Sequence, residues 1–113
     1  MCIRDSYTPL HTSVLAKVIG LYENINLHDR YNVSSDEAIT KFVFCQMLCT
    51  TFGYDPKLVI PISVDDLKLT APRSKNMALK NDKIKLVAPQ LDYSLKSSLL
   101  EYRIERQNLL NKE

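Results

Sequence analysis

The sequence predicts an α/β fold. Three observations carry that expectation. Segments of helical period alternate with strand-type segments along the chain. A hydrophobic share of 45% with 25% charged residues is ordinary for a folded globular chain. A length of 113 residues allows one domain at most, or a piece of one. The order reads helix, strand, helix, strand, loop, helix, helix. Two or three short strands make a poor sheet by themselves, so the pattern reads as unfinished.

The six residues "MCIRDS" precede a clean start of pattern at Tyr7 and resemble a non-native remnant. Met1 is then not a biological start, and the natural protein is expected to extend upstream. Thr12 and Ser13 can cap a helix to about Asn24, with Val14, Leu15, Val18, Ile19 and Tyr22 on one stripe. "NINLHD" turns the chain and "RYNVS" is a short strand candidate. The next helix has two possible starts. Ser34 with Glu37 has capping-box spacing, and Thr40 could cap a shorter helix. Either start puts Phe42, Cys45, Leu48, Cys49 and Phe52 on one face, with Gly53 placed for a left-handed cap. "KLVIPISV" reads as a strand, at a sheet edge or bulged, because Pro61 cannot donate to a ladder. A short helix is expected over Asp82–Val87, broken by Pro89. Asp92 can cap a last helix through Leu95, Leu99, Tyr102 and Leu109.

Composition excludes several classes. A net charge of +2 is too small to argue for nucleic acid. No apolar run approaches the roughly 20 residues of a membrane span. Three cysteines without a CxxC pair do not suggest a disulfide framework, so a cytoplasmic setting is the default. Two glycines, Gly20 and Gly53, cannot build a GxGxxG loop or a P-loop. None of the six tyrosines has a lysine four residues on, and HExxH and GxSxG are absent. No motif of a self-contained cofactor enzyme is present.

The remaining candidates are mostly structural. Cys45 and Cys49 could face one metal at i and i+4, but small apolar thiols in a core account for them better. His11 and His28 are lone and loop-borne, and read as surface residues. Asp65 and Asp66 point to opposite sides of an extended chain and read as turn or cap residues. Tyr93 and Tyr102 read as packing residues of the last helix. The basic segment is different. Within residues 71–85, Arg73, Lys75, Lys80, Lys83 and Lys85 surround the single Asp82. Pro72 restricts the backbone before Arg73, whose guanidinium matches a pair of phosphate oxygens as lysine cannot. Asn76 suits a sugar hydroxyl or its own loop's backbone. On composition alone this is a solvated loop or a phosphate-facing element.

"APRSKNMALKNDKI" resembles a stretch near the C-terminus of the dTDP-4-dehydrorhamnose reductase family, extended short-chain dehydrogenases with Ala-Arg-Arg-Pro-x-Asn-Ser-x-Leu-Asp-x-Ser-Lys-Leu. Ala71, Arg73, Asn76, Leu79 and Lys83 match, and Ile84 is a mild variant. "LAKVIGLYE", "YNVSS", "ITKFVFCQML" and "LVIPISVDD" are similar to family elements in the same order, over Tyr7 to about Leu100. The match of "ITKFVFCQML" favours Thr40 as the cap. Pro72, Ser74, Met77 and Lys80 depart from the pattern, which bears on the sugar and nucleotide more than on the fold. Lys80 replaces an aspartate cap, a role Asn81 can take.

The resemblance implies the C-terminal portion of a Rossmann-type extended short-chain dehydrogenase. Residues 7–35 would be the last Rossmann-side helix and strand, and 36–113 the substrate-binding lobe with its C-terminal helix. It implies a nucleotide-sugar substrate, with Arg73 facing the diphosphate or nucleotide. Asn76 would order the loop or contact the ligand, and Lys75 would supply longer-range charge. The parent protein would use NADPH or NADH and a Tyr-x-x-x-Lys pair, neither held by this chain, and could be a homodimer. A non-catalytic relative like the β subunit of methionine adenosyltransferase, or a free-standing α/β interaction module, would fit the same residues. Exposed apolar surface is expected on the first helix and at Tyr31–Val33, where further sheet would lie.

Overall fold

The computed structural model describes residues 6–25, 28–72 and 74–112. They form β1 (Ser6–Tyr7), α1 (Thr12–Ile25), β2 (Ile39–Thr40), α2 (Lys41–Phe52), β3 (Asn76–Met77), α3 (Asp82–Val87) and α4 (Leu95–Asn111). Two 3-10 turns, Pro56–Leu58 and Val64–Asp66, lie between α2 and β3. The chain folds as two compact units, one of Met1–Thr8 with Ala38–Ala78 and one of Pro9–Glu37 with Leu79–Glu113.

The first unit holds a three-stranded sheet in the order β2-β1-β3. β1 pairs antiparallel with β2, Ser6 opposite Thr40, and parallel with β3, Ser6 opposite Asn76. Ser6, the last residue of the segment set aside as a remnant, is thus a sheet residue. α2 begins where Thr40 was expected to cap it: its Oγ1 accepts from the Val43 N–H at 3.2 Å. The helix ends as expected too. Gly53 takes φ 76°, its N–H reaches the Thr50 carbonyl, and the Tyr54 N–H reaches the Cys49 carbonyl at 2.8 Å. Those two bonds are a Schellman closure of otherwise orphan carbonyls. A Cβ added at Gly53 would meet nothing within 4 Å. Gly53→Ala is therefore expected to cost only the left-handed backbone penalty, about 1 kcal/mol, read from urea unfolding.

Two expectations fail in this unit. "KLVIPISV" is no strand beyond a single bridge residue at Ile62. Asp55 starts a 3-10 turn by accepting from the Lys57 N–H at 2.9 Å, and Pro56 favours that start. Side chains then close the second turn, Asp66 Oδ2 accepting from the Ser63 N–H at 3.2 Å and Ser63 Oγ from the Asp65 N–H at 3.3 Å. Local turn chemistry outcompetes a ladder that Pro61 already weakens. Nor is any residue of α2 fully buried; Cys45 and Cys49 are half-buried thiols instead of core. Sheet strands of two residues are too short to cover a helix face.

The second unit is built on a core of Val14, Val18, Ile84 and Tyr93, with Leu10, Tyr31, Val33, Val87 and Leu91 packed against it. α3 has the bounds expected of it. "RYNVS" forms no strand: Ser34 gives its hydroxyl to the Leu79 carbonyl at 3.3 Å, and its own carbonyl accepts from Asn81 Nδ2 at 3.1 Å. Side chains satisfy the backbone where a ladder was expected. α1 and α4 also start differently. His11 Nδ1, one residue before the helix, accepts from the Ser13 N–H at 3.2 Å, so neither Thr12 nor Ser13 is the cap. Ser94, not Asp92, caps α4, accepting from the Ser97 N–H at 3.3 Å. Asp92 instead accepts from the Ser94 N–H at 2.9 Å, and Glu37 Oε2 takes the Leu95 N–H at 2.8 Å.

Candidate functional site

The sequence points to Arg73, Lys75 and Asn76. Arg73 lies outside the described residues. The other two are neighbours at the start of β3, which runs beside β1 because the Ser6 N–H donates to the Lys75 carbonyl at 3.0 Å. Short-range bonds shape this loop. Ser74 Oγ accepts from the Asn76 N–H at 3.3 Å and donates to the Asn76 carbonyl at 3.0 Å. Asn76 Oδ1 accepts from the Ala78 N–H at 3.1 Å. Its side-chain oxygen is thus spent on the loop's own backbone, one of the two roles open to it. Lys75 Nζ lies 2.9 Å from Asp65 Oδ2, which offsets its charge. Both side chains are more than half exposed, so the pair contributes little to stability.

The other cations of the basic segment belong to the second unit. Lys83 binds the Asp29 carboxylate and stands 4.9 Å over the Tyr31 ring. Lys85 Nζ lies 2.8 Å from Asp36 Oδ1. The segment that looks nearly unopposed in sequence therefore meets carboxylates from 10, 54 and 49 residues away. Sequence spacing gives no signal for such pairs. These bonds hold the Asp29 and Asp36 carboxyls below their usual range: for Asp36 the Lys85 bond is the larger cause and Asn81 the next. The same Asp36 bond raises Lys85 above its ordinary value.

Asn81 does not cap α3. It precedes the helix, but its amide turns inward, donating to the Ser34 carbonyl and to Asp36 Oδ1 at 2.9 Å, and it is 7% exposed. Tyr93, whose hydroxyl donates to the Ala88 carbonyl at 3.0 Å, is a core residue that precedes α4. His11 is no surface residue either: its side chain is 11% exposed and its Nε2 lies 3.0 Å from Glu105. Apolar surface is exposed on α1 as expected, at Leu15 and Ile19. They line a groove of about 290 Å³ with Val18, Tyr31, Val33 and Ile84, below the volume of most ligand pockets. Among the described residues no three His, Cys, Asp or Glu side chains gather to hold a metal. No helix among them is long and apolar enough to cross a membrane.

No protein-family model matches the chain, and no curated protein matches it. Its fold, however, has a clear likeness: it is part of a Rossmann-type α/β fold. A similar structure is that of dTDP-4-dehydrorhamnose reductase from Bacillus anthracis in complex with NADP, at a TM-score of 0.78 and 20% identity. The likeness covers 92% of this chain and 37% of the reductase, so the chain spans little over a third of that enzyme's length.

Proposed function

We propose that the chain is the sugar-nucleotide-binding, C-terminal portion of an NAD(P)H-dependent reductase like dTDP-4-dehydrorhamnose reductase. The fold likeness over 92% of the chain carries the reading. The collinear residues Ala71, Arg73, Asn76, Leu79 and Lys83 support it. In this reading Arg73 binds the diphosphate, while Asn76 shapes the loop that presents it. Asp65 leaves Lys75 only a minor part in the local field, and Arg73 becomes the dominant cation of its loop. NADPH or NADH and the proton-donating tyrosine belong to the rest of the parent enzyme, and the chain alone does not reduce a sugar. The parent acts in deoxysugar synthesis in the cytoplasm, as a homodimer.

Titration of the purified chain with dTDP tests the ligand role. Arg73→Ala is expected to weaken binding by roughly tenfold to a hundredfold, the loss of one charge-assisted contact. Equal affinity of the two proteins, or no binding by either, would reject it. The reading frame upstream separates the reductase from its relatives. A glycine-rich loop and a Tyr-x-x-x-Lys there support the enzyme; a Rossmann half lacking that pair supports a non-catalytic binding subunit.

A further inference from the structure

We propose that Ser13, His11 and Glu105, all of the second unit, form a serine-nucleophile site that cleaves small carboxylic esters. His11 is held from several sides. Its N–H donates to the buried Ser98 hydroxyl at 3.1 Å, and its ring lies beside that of Tyr102 with centroids 5.9 Å apart. Its Nε2 is 3.0 Å from Glu105 Oε2. An ionised carboxylate only accepts, so Nε2 carries the proton and Nδ1 is left as the acceptor. Two donors share Nδ1: the Ser13 N–H at 3.2 Å and the Ser13 hydroxyl at 2.7 Å. The shorter bond belongs to the hydroxyl. Hydroxyl, imidazole and carboxylate thus stand in the order of nucleophile, base and orienting acid, with the two ring nitrogens exchanged relative to the usual serine triad.

Ser13 opens on a cleft of about 230 Å³ whose lining includes Lys17, Gln90, Leu91, Ser97 and Glu101. Its size admits a short acyl group, and Lys17 and Gln90 are the lining residues that carry side-chain N–H donors, beside the carboxylates of Asp92 and Glu101. In the reaction Ser13 Oγ bonds to the ester carbonyl carbon while its proton passes to His11 Nδ1. The tetrahedral oxyanion collapses, the C–O bond to the alcohol breaks, and the departing alkoxide takes the proton from Nδ1. Water then attacks the acyl-serine with His11 again as base, releasing the carboxylic acid and restoring Ser13. Glu105 is a positioning residue: it acts through His11 Nε2.

A fluorophosphonate probe followed by peptide mass mapping decides the matter. The wild-type chain is expected to carry the adduct on Ser13, with none in Ser13→Ala. Glu105→Gln is expected to lower the maximal labelling rate at least about tenfold while leaving the half-saturating probe concentration unchanged. A merely structural bond would not produce that split. No adduct on Ser13, labelling spread evenly over the serines, or a Glu105→Gln protein that labels like the wild type would mean that His11 and Ser13 form a helix cap only. The wild-type map stands even if a variant fails to fold.

Discussion

Tyr93→Ala is expected to cost about 4 kcal/mol, a large share of the stability of the second unit. Tyr93 is 2% exposed and shares the core with Val14, Val18 and Ile84. Truncating a buried aromatic ring loses its transfer energy and leaves a cavity that the surroundings fill only in part, about 3–5 kcal/mol in all. The change also strips the buried Ala88 carbonyl of its donor. Domains of this size hold about 5–15 kcal/mol, so the loss takes a quarter or more of the whole. Tyr93→Phe separates ring from hydroxyl and should cost only about 1–2 kcal/mol. It should also flatten part of the alkaline limb. Burial raises the phenol above its ordinary 10.0, so its contribution holds below that value and fades as pH climbs through the folded pKa. Urea unfolding of the three proteins at pH 7 and above 10 checks both statements. A loss under about 1 kcal/mol for Tyr93→Ala would remove this residue from the core.

The parts legible in the sequence were those that local chemistry decides. Thr40 and Gly53 bound α2 because a cap and a left-handed closure need only residues within one turn. α3 ends where Pro89 forbids continuation. The strands were not legible. β1, β2 and β3 have two residues each, too few to show a period of two, and β3 fell in a segment that reads as loop. "RYNVS" and "KLVIPISV" carry strand composition, but composition records a fit to a half-buried surface and not the presence of a partner.

Contacts around the basic segment divide in the same way, into local ones and long-range ones. Asn76 reads as open to two roles, and its Oδ1 accepts from the Ala78 N–H within its own loop. Lys75 reads as a source of longer-range charge, and Asp65, in the second 3-10 turn, offsets it. Asn81 was the larger miss, since a residue of capping type just before a helix gives no hint that its amide reaches 47 residues back. His11 was misread for a related reason. Its partners Ser98 and Glu105 lie on α4, at the other end of the chain. Long-range polar contacts leave no period and no local motif.

The Asn81 amide offers the second large effect. Asn81→Leu is expected to destabilise the second unit by about 2–3 kcal/mol at pH 7. The substitution leaves the Ser34 carbonyl, on a residue 1% exposed, without its donor, a loss of about 1–3 kcal/mol. It also takes one of two donors from Asp36, whose share is smaller because that carboxylate is about a third exposed and screened by water. The two parts separate by pH. Asp36 titrates below its ordinary 3.8 in the folded chain, so its stabilisation is present above that value and is lost as pH falls through the folded pKa. The Ser34 carbonyl does not titrate. The gap between wild type and Asn81→Leu should therefore narrow from pH 7 to pH 2.5 without closing. Thermal unfolding at both values reads the difference directly. A gap that vanishes in acid would assign the whole effect to Asp36, and one that stays constant would assign it to Ser34.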